Sequence, residues 1–364
     1  MIEEDFMTDS PVEIKGLLPN ELEAFAVSMG LEPYRGRQIA AWLYNRGKTH
    51  FGEMTNLSRQ VRERLRERAT ILDLRVVTKI CTEDGDTVKY LFELPDGRRV
   101  ESVLMRDGRR RTLCISSQVG CPLGCRFCAT GRMGLLRNLT AGEMLDQLIR
   151  VRRDLATTGE DLTNVVMMGM GEPLLNYEQV VRAIRLMNLD YGAAIGMRRI
   201  TLSTAGYVPG ISRLAAEGLK VGLAISLNAT TDAQRTEIMP VNRKWPIAAL
   251  LAAAHAYQRQ LGRRITFEYV LLSGFNETQE DANRLIGLIR DIPCKVNVIP
   301  WNPIGNSRFG RPSSRAIEAF VETLASAYIT ATVRYSKGAD IAAACGQLYQ
   351  DQASRSASGS LTDG

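Results

Sequence analysis

The chain has 364 residues, of which 45% are hydrophobic and 24% charged, the balance of a globular protein that buries a substantial core. Its length exceeds one ordinary domain and suits a barrel with a small accessory domain. The acidic start, MIEEDFMTDS, lacks the apolar segment of a secretory signal, and the longest apolar stretch is too short to span a bilayer. We therefore expect a cytoplasmic protein.

The charged and sulfur-bearing residues narrow the class of function. The net charge is +6, and 38 of the 46 basic residues are arginine, whose guanidinium group pairs with phosphates and stacks on bases, so RNA is the favoured partner. A GC-rich genome explains the arginine ratio equally well, but not the net charge. Seven cysteines beside only two histidines predict thiolate sites for zinc or iron–sulfur rather than a disulfide scaffold or an imidazole site.

Residues 1–80 are predicted to form a small helical domain. Helices are expected to begin near Pro19, Arg35 and Leu57, because apolar residues recur there at helical spacing. The segment is rich in arginine. An RNA-binding accessory domain and an ordinary solvated helix face explain these charges equally well.

Residues 81–110 are predicted to form a β-hairpin connection. Two strand-like runs, TVKYLFEL and RRVESVLM, are separated by Pro95-Asp96-Gly97, and a second Asp-Gly pair precedes RRRTLCISS. An Asp-Gly pair between alternating runs is a strong signal for a hairpin turn.

Residues 111–350 alternate strand-like and helix-like stretches. The strand candidates are TLCISS, NVVMMGM, RITLST, VGLAISLN, ITFEYVLL, KVNVIPW and ATVRYS. Helical stretches such as AGEMLDQLIRVRRDL and PIAALLAAAHAYQRQL lie between them. Repeated β-α units indicate an α/β fold with a mainly parallel sheet, here a partial (βα)6 barrel whose ligands lie at the carboxyl ends of the strands. The polar, Gly/Ser-rich tail, residues 351–364, is expected to be disordered.

The clearest motif is CPLGCRFCATG, in which Cys121, Cys125 and Cys128 follow the strand TLCISS. Thiolate metal sites usually have four ligands. Three thiolates this close can hold three irons of a [4Fe–4S] cube and leave the fourth iron open to an exogenous ligand. A purely structural cluster and a zinc site completed by a distant cysteine are the alternatives. The distant candidates are Cys81, Cys294 and Cys345.

Further motifs lie at the ends of other predicted strands. MMGMGEP contains two glycines that let the backbone approach a ligand closely, and its Glu172 offers a carboxylate to an ammonium group. STAG, SLN and PWNP end three later strands. Taken alone, these motifs are equally typical of tight turns. In GADIAAACGQL, Cys345 follows three alanines, and the composition favours a buried core sulfur.

The spacing C-x3-C-x2-C at the end of the first barrel strand resembles the radical S-adenosylmethionine (SAM) superfamily. Over nearly its full length the chain is similar to the RlmN/Cfr group of RNA adenine methyltransferases, through CISSQVGCPLGCRFCATG, NVVMMGMGEPLLNY, RRITLSTAG, IMPVNRK and DIAAACGQL. The resemblance implies a [4Fe–4S] cluster on the three cysteines, with SAM on the open iron. The residues that match the family's SAM contacts are Gly171, Glu172, Ser203, Ser226, Leu227, Asn228 and Asn302. Many members have histidine where Asn228 stands, a departure that matters little where backbone atoms make the contact.

The resemblance also implies the chemistry. Polar methyl transfer to adenine C2, an electron-poor carbon, is unfavourable, and the family uses two SAM molecules instead. Cys345 matches the thiol that takes a methyl group from the first SAM. A 5′-deoxyadenosyl radical from the second SAM removes hydrogen from that S-methyl group, and the resulting methylene radical adds to adenine.

Two further residues match the steps that release the product. Glu101 matches the base that removes the ring proton, and Cys114 matches the thiol that frees the RNA by forming a disulfide with Cys345. Without the family, Glu101 is interpreted as an exposed strand residue and Cys114 as a small strand hydrophobe.

The function implied by the resemblance is methylation of adenosine C2 in 23S ribosomal RNA and in transfer RNA, with an unidentified electron donor such as flavodoxin. A Cfr-type C8 methyltransferase of the same ribosomal RNA is the closest alternative. A metal-stabilised, non-catalytic RNA-binding protein and a radical SAM enzyme for a small metabolite are alternatives from other classes. We expect the target base to leave its stack, and the N-terminal domain and the hairpin RDGRRR, residues 106–111, to hold the flanking RNA backbone.

Overall fold

A ten-stranded sheet organises the fold of the computed structural model, which describes residues 10–304, 307–335 and 337–348. The predicted disordered tail, residues 351–364, lies outside the described residues. The strands are β1 Val12–Glu13, β2 Ala69–Thr70, β3 Arg75–Cys81, β4 Thr87–Glu93, β5 Arg99–Asp107, β6 Arg110–Cys114, β7 Gln118–Cys121, β8 Gly134–Asn138, β9 Asn164–Met167, β10 Ile200–Thr204, β11 Gly222–Ser226, β12 Ile265–Leu271, β13 Cys294–Pro300 and β14 Ala331–Val333.

The order of the large sheet is β14-β13-β12-β11-β10-β9-β6-β5-β4-β3. The described strands from β6 to β14 in this sheet pair in parallel, whereas β3, β4 and β5 extend it as an antiparallel edge. The predicted partial barrel is confirmed, and the predicted hairpin continues its sheet. We call the carboxyl end of the parallel strands the mouth.

The helices from residue 141 onwards connect successive parallel strands, whereas three helices precede the large sheet and one short helix follows β7. They are α1 Pro19–Ser28, α2 Tyr34–Tyr44, α3 Arg59–Arg68, α4 Ala129–Arg132, α5 Ala141–Ala156, α6 Tyr177–Asn188, α7 Val208–Ala216, α8 Asp232–Ile238, α9 Ile247–Leu261, α10 Gln279–Ile289 and α11 Ser314–Ser326. Local sequence explains where α5 begins: the hydroxyl of Thr140 accepts from Glu143 N (3.1 Å), and the Glu143 carboxylate accepts from Thr140 N (2.9 Å), which together form a capping box. Neither α7 nor α8 is among the helices predicted from sequence.

The N-terminal helices pack on the barrel through a buried contact that we call the junction, formed by Lys15, Gly16, Gly142 and Asp146. Lys15 Nζ lies 2.5 Å from Asp146 Oδ1, and neither side chain has exposed surface. Glycine is required on both sides, because a Cβ on Gly142 would lie 2.1 Å from Lys15 O and one on Gly16 would lie 2.7 Å from Gly142 N. The N-terminal segment is therefore locked to α5.

The turn between β5 and β6 lies at the amino end of the parallel strands, opposite the mouth, because β6 runs from this turn towards the mouth. Arg106 and Arg111 form ion pairs with Glu160 there, while Arg109 and Arg110 are exposed. None of the described helices has the length and apolar surface needed to cross a bilayer.

Candidate active site at the mouth of the barrel

Two segments that follow neighbouring strands build the floor of the mouth. The segment after β6 leads to residues 121–131, which we call the cluster loop, and the segment after β9 is MMGMGEP. Gly169 N donates to Ile115 O (3.0 Å). A Cβ on Gly169 would lie 2.7 Å from that oxygen, and one on Gly171, whose φ is +106°, would lie 2.6 Å from Gln118 Cβ. These glycines allow the two segments to pack closely against each other.

The cluster loop brings its thiols close together among protein atoms. Burial raises the pKa of all three, to about 12 for Cys121, and the thiols of Cys128 and Cys121 raise the pKa of Cys125 further. A Cβ on Gly131 would lie 2.9 Å from both the N and the O of Cys125. Only glycine lets the loop fold back on itself in this way.

The donor set of the cluster loop, three cysteine thiols within eight residues, fits an iron–sulfur cluster. Among the described residues, no group of three Cys, His, Asp or Glu side chains is arranged around a single metal-ion position. A [4Fe–4S] cube takes one thiolate at each of three separate corners. Thiols with raised pKa values lose their protons when the metal binds.

Glu172, the predicted ammonium contact, lies buried beside the cluster loop, where its charge acts on Cys121 and Cys125. Its Oε2 accepts from Ala205 N (2.7 Å) and its Oε1 from Leu174 N (3.2 Å). Burial outweighs these hydrogen bonds and raises the pKa of Glu172 to about 7. The carboxylate thus connects MMGMGEP with the end of β10, close to the thiols.

The other predicted SAM contacts lie at the ends of β10, β11 and β13. Ser203 and Ser226 are half-buried. Leu227 is buried, and its N–H donates to Glu268 O (3.0 Å). Asn302 is also buried, and β13 ends two residues before it.

The side chain of Asn228 is committed to the protein itself. It is buried, and its φ of +59° is one that asparagine tolerates better than most residues. Its Oδ1 accepts from Val270 N (2.8 Å), and its Nδ2 lies 3.3 Å from Met239 Sδ. A ligand contact at this position would therefore use the backbone.

Cys345 reaches the mouth on a segment that is hydrogen-bonded to the cluster loop. Ala129 N donates to Gly346 O (2.7 Å), and Thr130 Oγ1 donates to Leu348 O (2.7 Å). Asn302 Nδ2 approaches Cys345 O at 3.5 Å. The mouth thus brings together Cys345, the cluster loop and the end of β13.

Cys345 is an exposed residue, which is at odds with the composition-based interpretation as a core sulfur. Protein atoms nevertheless crowd it, and this desolvation, reinforced by the charge of Glu268, raises the pKa of Cys345 to about 11. A thiol with this pKa is protonated at neutral pH, and it needs a proton acceptor before it reacts as a nucleophile.

Cys114 and Glu101 lie on one face of the β5–β6 pair. Cys114 is opposite Val103, so Glu101 is its diagonal neighbour on the same face, and residues in this relation lie about 7–8 Å apart. Both are buried, and Glu101 Oε1 lies 3.2 Å from Lys89 Nζ, so Glu101 is not the exposed strand residue that its sequence context suggests. Burial, and next the charge of Cys345, raises the pKa of Cys114, which indicates that the two thiols are close enough to interact.

Sequence reasoning missed two buried charged residues at the mouth, Arg235 on α8 and Glu268 on β12. Arg235 has no exposed surface, and a lone arginine in a short polar segment carries no signal of burial. Glu268 accepts from Asn297 Nδ2 (2.8 Å), and burial raises its pKa to about 7. Its signal was available: a carboxylate inside the otherwise apolar run ITFEYVLL.

Comparisons with known proteins agree with this architecture. The family model described as "Radical SAM superfamily" matches residues 115–286, and the model described as "Ribosomal RNA large subunit methyltransferase N-terminal domain" matches residues 12–71. The barrel and its three-cysteine loop are thus those of a radical SAM protein, a superfamily whose members use SAM with an iron–sulfur cluster.

Relatives narrow this class to one family. The chain is 49% identical over 340 residues to the dual-specificity RNA methyltransferase RlmN of Geobacter sulfurreducens, covering 93% of this chain and 92% of the relative. It is 48% identical to a probable RlmN of Moorella thermoacetica, covering 93% and 97%. A crystal structure of a radical SAM methyltransferase from Sphaerobacter thermophilus matches with a TM-score of 0.90 and 47% identity, covering 93% of this chain and 99% of the other. The chain belongs to the RlmN family of radical SAM methyltransferases.

Proposed function

We propose that the chain methylates C2 of adenosine in 23S ribosomal RNA and in transfer RNA, as a cytoplasmic enzyme that receives electrons from a donor such as flavodoxin. The observation that carries the proposal is the meeting of Cys345, Cys114 and the three-thiol loop at one mouth. A structural metal site needs no such additional pair of thiols. The names of the relatives, which are RNA methyltransferases, support the choice of substrate.

In this proposal the chain's own residues hold the cofactors. Bound cluster and SAM supply reductive cleavage of a sulfonium, the source of a carbon radical. Cys121, Cys125 and Cys128 hold the cluster as thiolates. The residues proposed to hold SAM are Gly171, Glu172, Ser203, Ser226, Leu227, Asn228 and Asn302.

Three side chains act on the substrate side. Cys345 loses its proton and accepts a methyl group, which later becomes the carbon joined to adenine. Glu101, buried on the face it shares with Cys114, accepts the ring proton. Once the adduct has returned one electron to the cluster, Cys114 would lose its proton and form a disulfide with Cys345 as the bond from Cys345 sulfur to the new carbon breaks. The electron pair of that bond would stay on the carbon, which takes up a proton, so that the product leaves with its methyl group.

The RNA must cross the mouth for a flipped base to reach Cys345. Four exposed cations lie near the mouth: one in the cluster loop, one directly after it, and two in the turn that follows α8. These rim cations are Arg126, Arg132, Arg243 and Lys244. We therefore place the phosphate contacts at the rim, and no longer at the β5–β6 turn, which lies at the opposite end of the sheet.

The test is anaerobic purification followed by reaction with both RNAs and mass spectrometry of the nucleosides. We expect about four irons per chain, SAM cleavage on reduction and 2-methyladenosine in both RNAs. Formation of 8-methyladenosine instead would show that the enzyme methylates C8 and not C2. If the spectrum of the bound iron does not change when SAM is added and no methylated product forms, the alternative of a non-catalytic RNA-binding protein is supported.

A further inference from the structure

Arg235 is a buried cation that joins the ends of β10 and β11. Its Nε donates to Leu227 O (3.0 Å), and its Nη2 donates to Ser226 O (3.1 Å) and to Ala205 O (2.6 Å). All three acceptors are backbone carbonyls of the SLN and STAG segments, where the SAM contacts are predicted. One guanidinium thus joins the ends of two neighbouring strands.

The surrounding chain makes room for this side chain. Gly206 has a φ of +109°, and a Cβ there would lie 3.0 Å from Arg235 Nη2. The remaining nitrogen of the fork, Nη1, donates to Asn242 Oδ1 (3.0 Å). Ala205 is held from both sides, because its N–H donates to the Glu172 carboxylate (2.7 Å) while its carbonyl accepts from Arg235.

Arg235 lies on a helix whose end contacts the cluster loop. No carboxylate of the described residues forms an ion pair with it. Asp232, on the same helix, accepts instead from Asn242 Nδ2 (3.0 Å) and Ile247 N (2.8 Å). Cys125 and Ala205 pack against the same buried hydrophobic cluster, which contains Ile238 of that helix. The loop is tied to the end of the same helix, where Arg126 N donates to Ile238 O (2.9 Å).

A buried cation without a carboxylate partner is costly unless an anion compensates it. The thiolate that Cys125 becomes on binding iron is such an anion. A fixed positive charge beside a redox centre also favours the addition of an electron, because the reduced state carries one more negative charge.

We propose that Arg235 is a positioning residue for the SAM-binding strand ends and that its charge raises the reduction potential of the cluster held by Cys125. The proposal rests on the proposed function, since it requires that the cysteine loop hold a cluster. It assigns two separable roles to one side chain: the fork positions backbone, and the charge acts on the cluster.

The experiment compares wild type with Arg235→Lys, Arg235→Gln and the control Arg290→Gln, which removes an exposed arginine after α10. Each protein is reconstituted anaerobically, and its folding is checked by circular dichroism. Iron content, midpoint potential by redox titration with electron paramagnetic resonance, and SAM affinity by equilibrium dialysis are then measured. These readouts do not depend on methylation.

We expect Arg235→Gln to shift the reduction equilibrium about tenfold towards the oxidised cluster, or about 59 mV for one electron, and to weaken SAM binding at least about tenfold. Arg235→Lys keeps the charge and loses the fork, so its potential stays near wild type while SAM binding weakens. Arg290→Gln changes neither.

Wild-type potential and SAM affinity in Arg235→Gln would overturn the proposal while the proposed function stands. If Arg235→Gln does not fold, Arg235→Lys decides, because wild-type SAM affinity in that variant overturns the positioning role. A wild-type protein that takes up no iron would remove the proposed function, and this inference with it.

Discussion

The junction and the mouth both bury charged groups, and they treat them in opposite ways. At the junction Lys15 and Asp146 pair directly at 2.5 Å, and Asp146 Oδ2 also accepts from Leu74 N (2.7 Å). At the mouth Glu172 is held only by N–H and hydroxyl donors and has a pKa raised to about 7. Arg235 is held there by neutral acceptors.

The difference separates stability from chemistry. A buried charge that is balanced within the chain fixes two parts of the fold to each other. Buried thiols, a carboxyl group and a cation that are not paired with one another keep perturbed pKa values, which is typical of sites that bind cofactors and move protons. Variants at the mouth should therefore remove activity with little loss of stability, and variants at the junction should do the reverse.

The largest effect is expected for Cys345→Ala. The proposed methyl acceptor is lost, so methylation should fall by about 10³-fold or more, the scale seen when a nucleophile is removed. Iron content and melting temperature should stay near wild type, because Cys345 is an exposed residue and is not proposed as a ligand. Nucleoside mass spectrometry and iron analysis measure both, with Cys81→Ala, an exposed thiol on β3, as the control. Methylation that persists in Cys345→Ala would remove this residue from the mechanism.

Lys15→Met tests the junction side of the comparison. It removes the nearest cation of the buried Asp146 carboxylate and leaves Arg150 Nε, 4.0 Å from Asp146 Oδ2, which should cost about 3 kcal/mol in the free energy of unfolding. The matched control is Lys79→Met, which breaks the surface ion pair between Lys79 and Asp154. Their side chains are 49% and 41% exposed, so this change should cost about 0–1 kcal/mol in the free energy of unfolding. Urea unfolding measures both. Equal losses in the two variants would show that the buried pair does not stabilise the junction.

The same contrast explains what the sequence alone could predict. The barrel follows from alternating apolar runs and amphipathic stretches, which are local patterns. The cluster loop follows from the spacing of three nearby cysteines. The short helices α7 and α8 were missed because they have only nine and seven residues, too few for a helical period to stand out.

Residues whose role depends on distant packing could not be placed. Arg235 and Lys15 look like ordinary surface cations in the sequence, and their burial is set by strands and helices far along the chain. Glu101 and Cys345 were selected by family resemblance, not by pattern. The structure finds Glu101 buried and the residue Cys345 exposed, the opposite of what their local sequence suggests.

A smaller effect is expected in the pH dependence of stability at the mouth. Burial raises the pKa of Glu268 from 4.5 to about 7, so the folded state holds a proton between these values that the unfolded state has lost. Stability contributed by this group is therefore present below about pH 4.5 and falls as the pH rises to about 7, by up to about 3 kcal/mol. Glu268→Gln removes this titration and should be more stable than wild type above pH 7, but not below pH 4.5. Urea unfolding across this pH range measures the difference. If the unfolding free energies of wild type and Glu268→Gln change with pH in parallel, Glu268 is not the group that titrates.

The smallest effect is expected at the rim, where the comparison extends to the protein surface. Arg126 and Arg132 are exposed beside the cluster loop, whereas Arg109 and Arg110 are exposed at the opposite end of the sheet. Both double changes to glutamine remove the same charge, so any difference reports position. The rim pair should weaken RNA binding about tenfold and lower the salt slope by about 1 for each phosphate that the variant no longer neutralises.

The hairpin pair should change neither quantity, because RNA that delivers a base to Cys345 crosses the mouth and not the amino ends of the strands. Filter binding across a salt series, with transfer RNA as the probe, measures affinity and slope together. A loss that is equal in the two double variants would mean that net charge attracts the RNA without a defined path. A loss confined to Arg109 and Arg110 would move the RNA to the amino end of the sheet, and Cys345 could then no longer be the residue that meets the base.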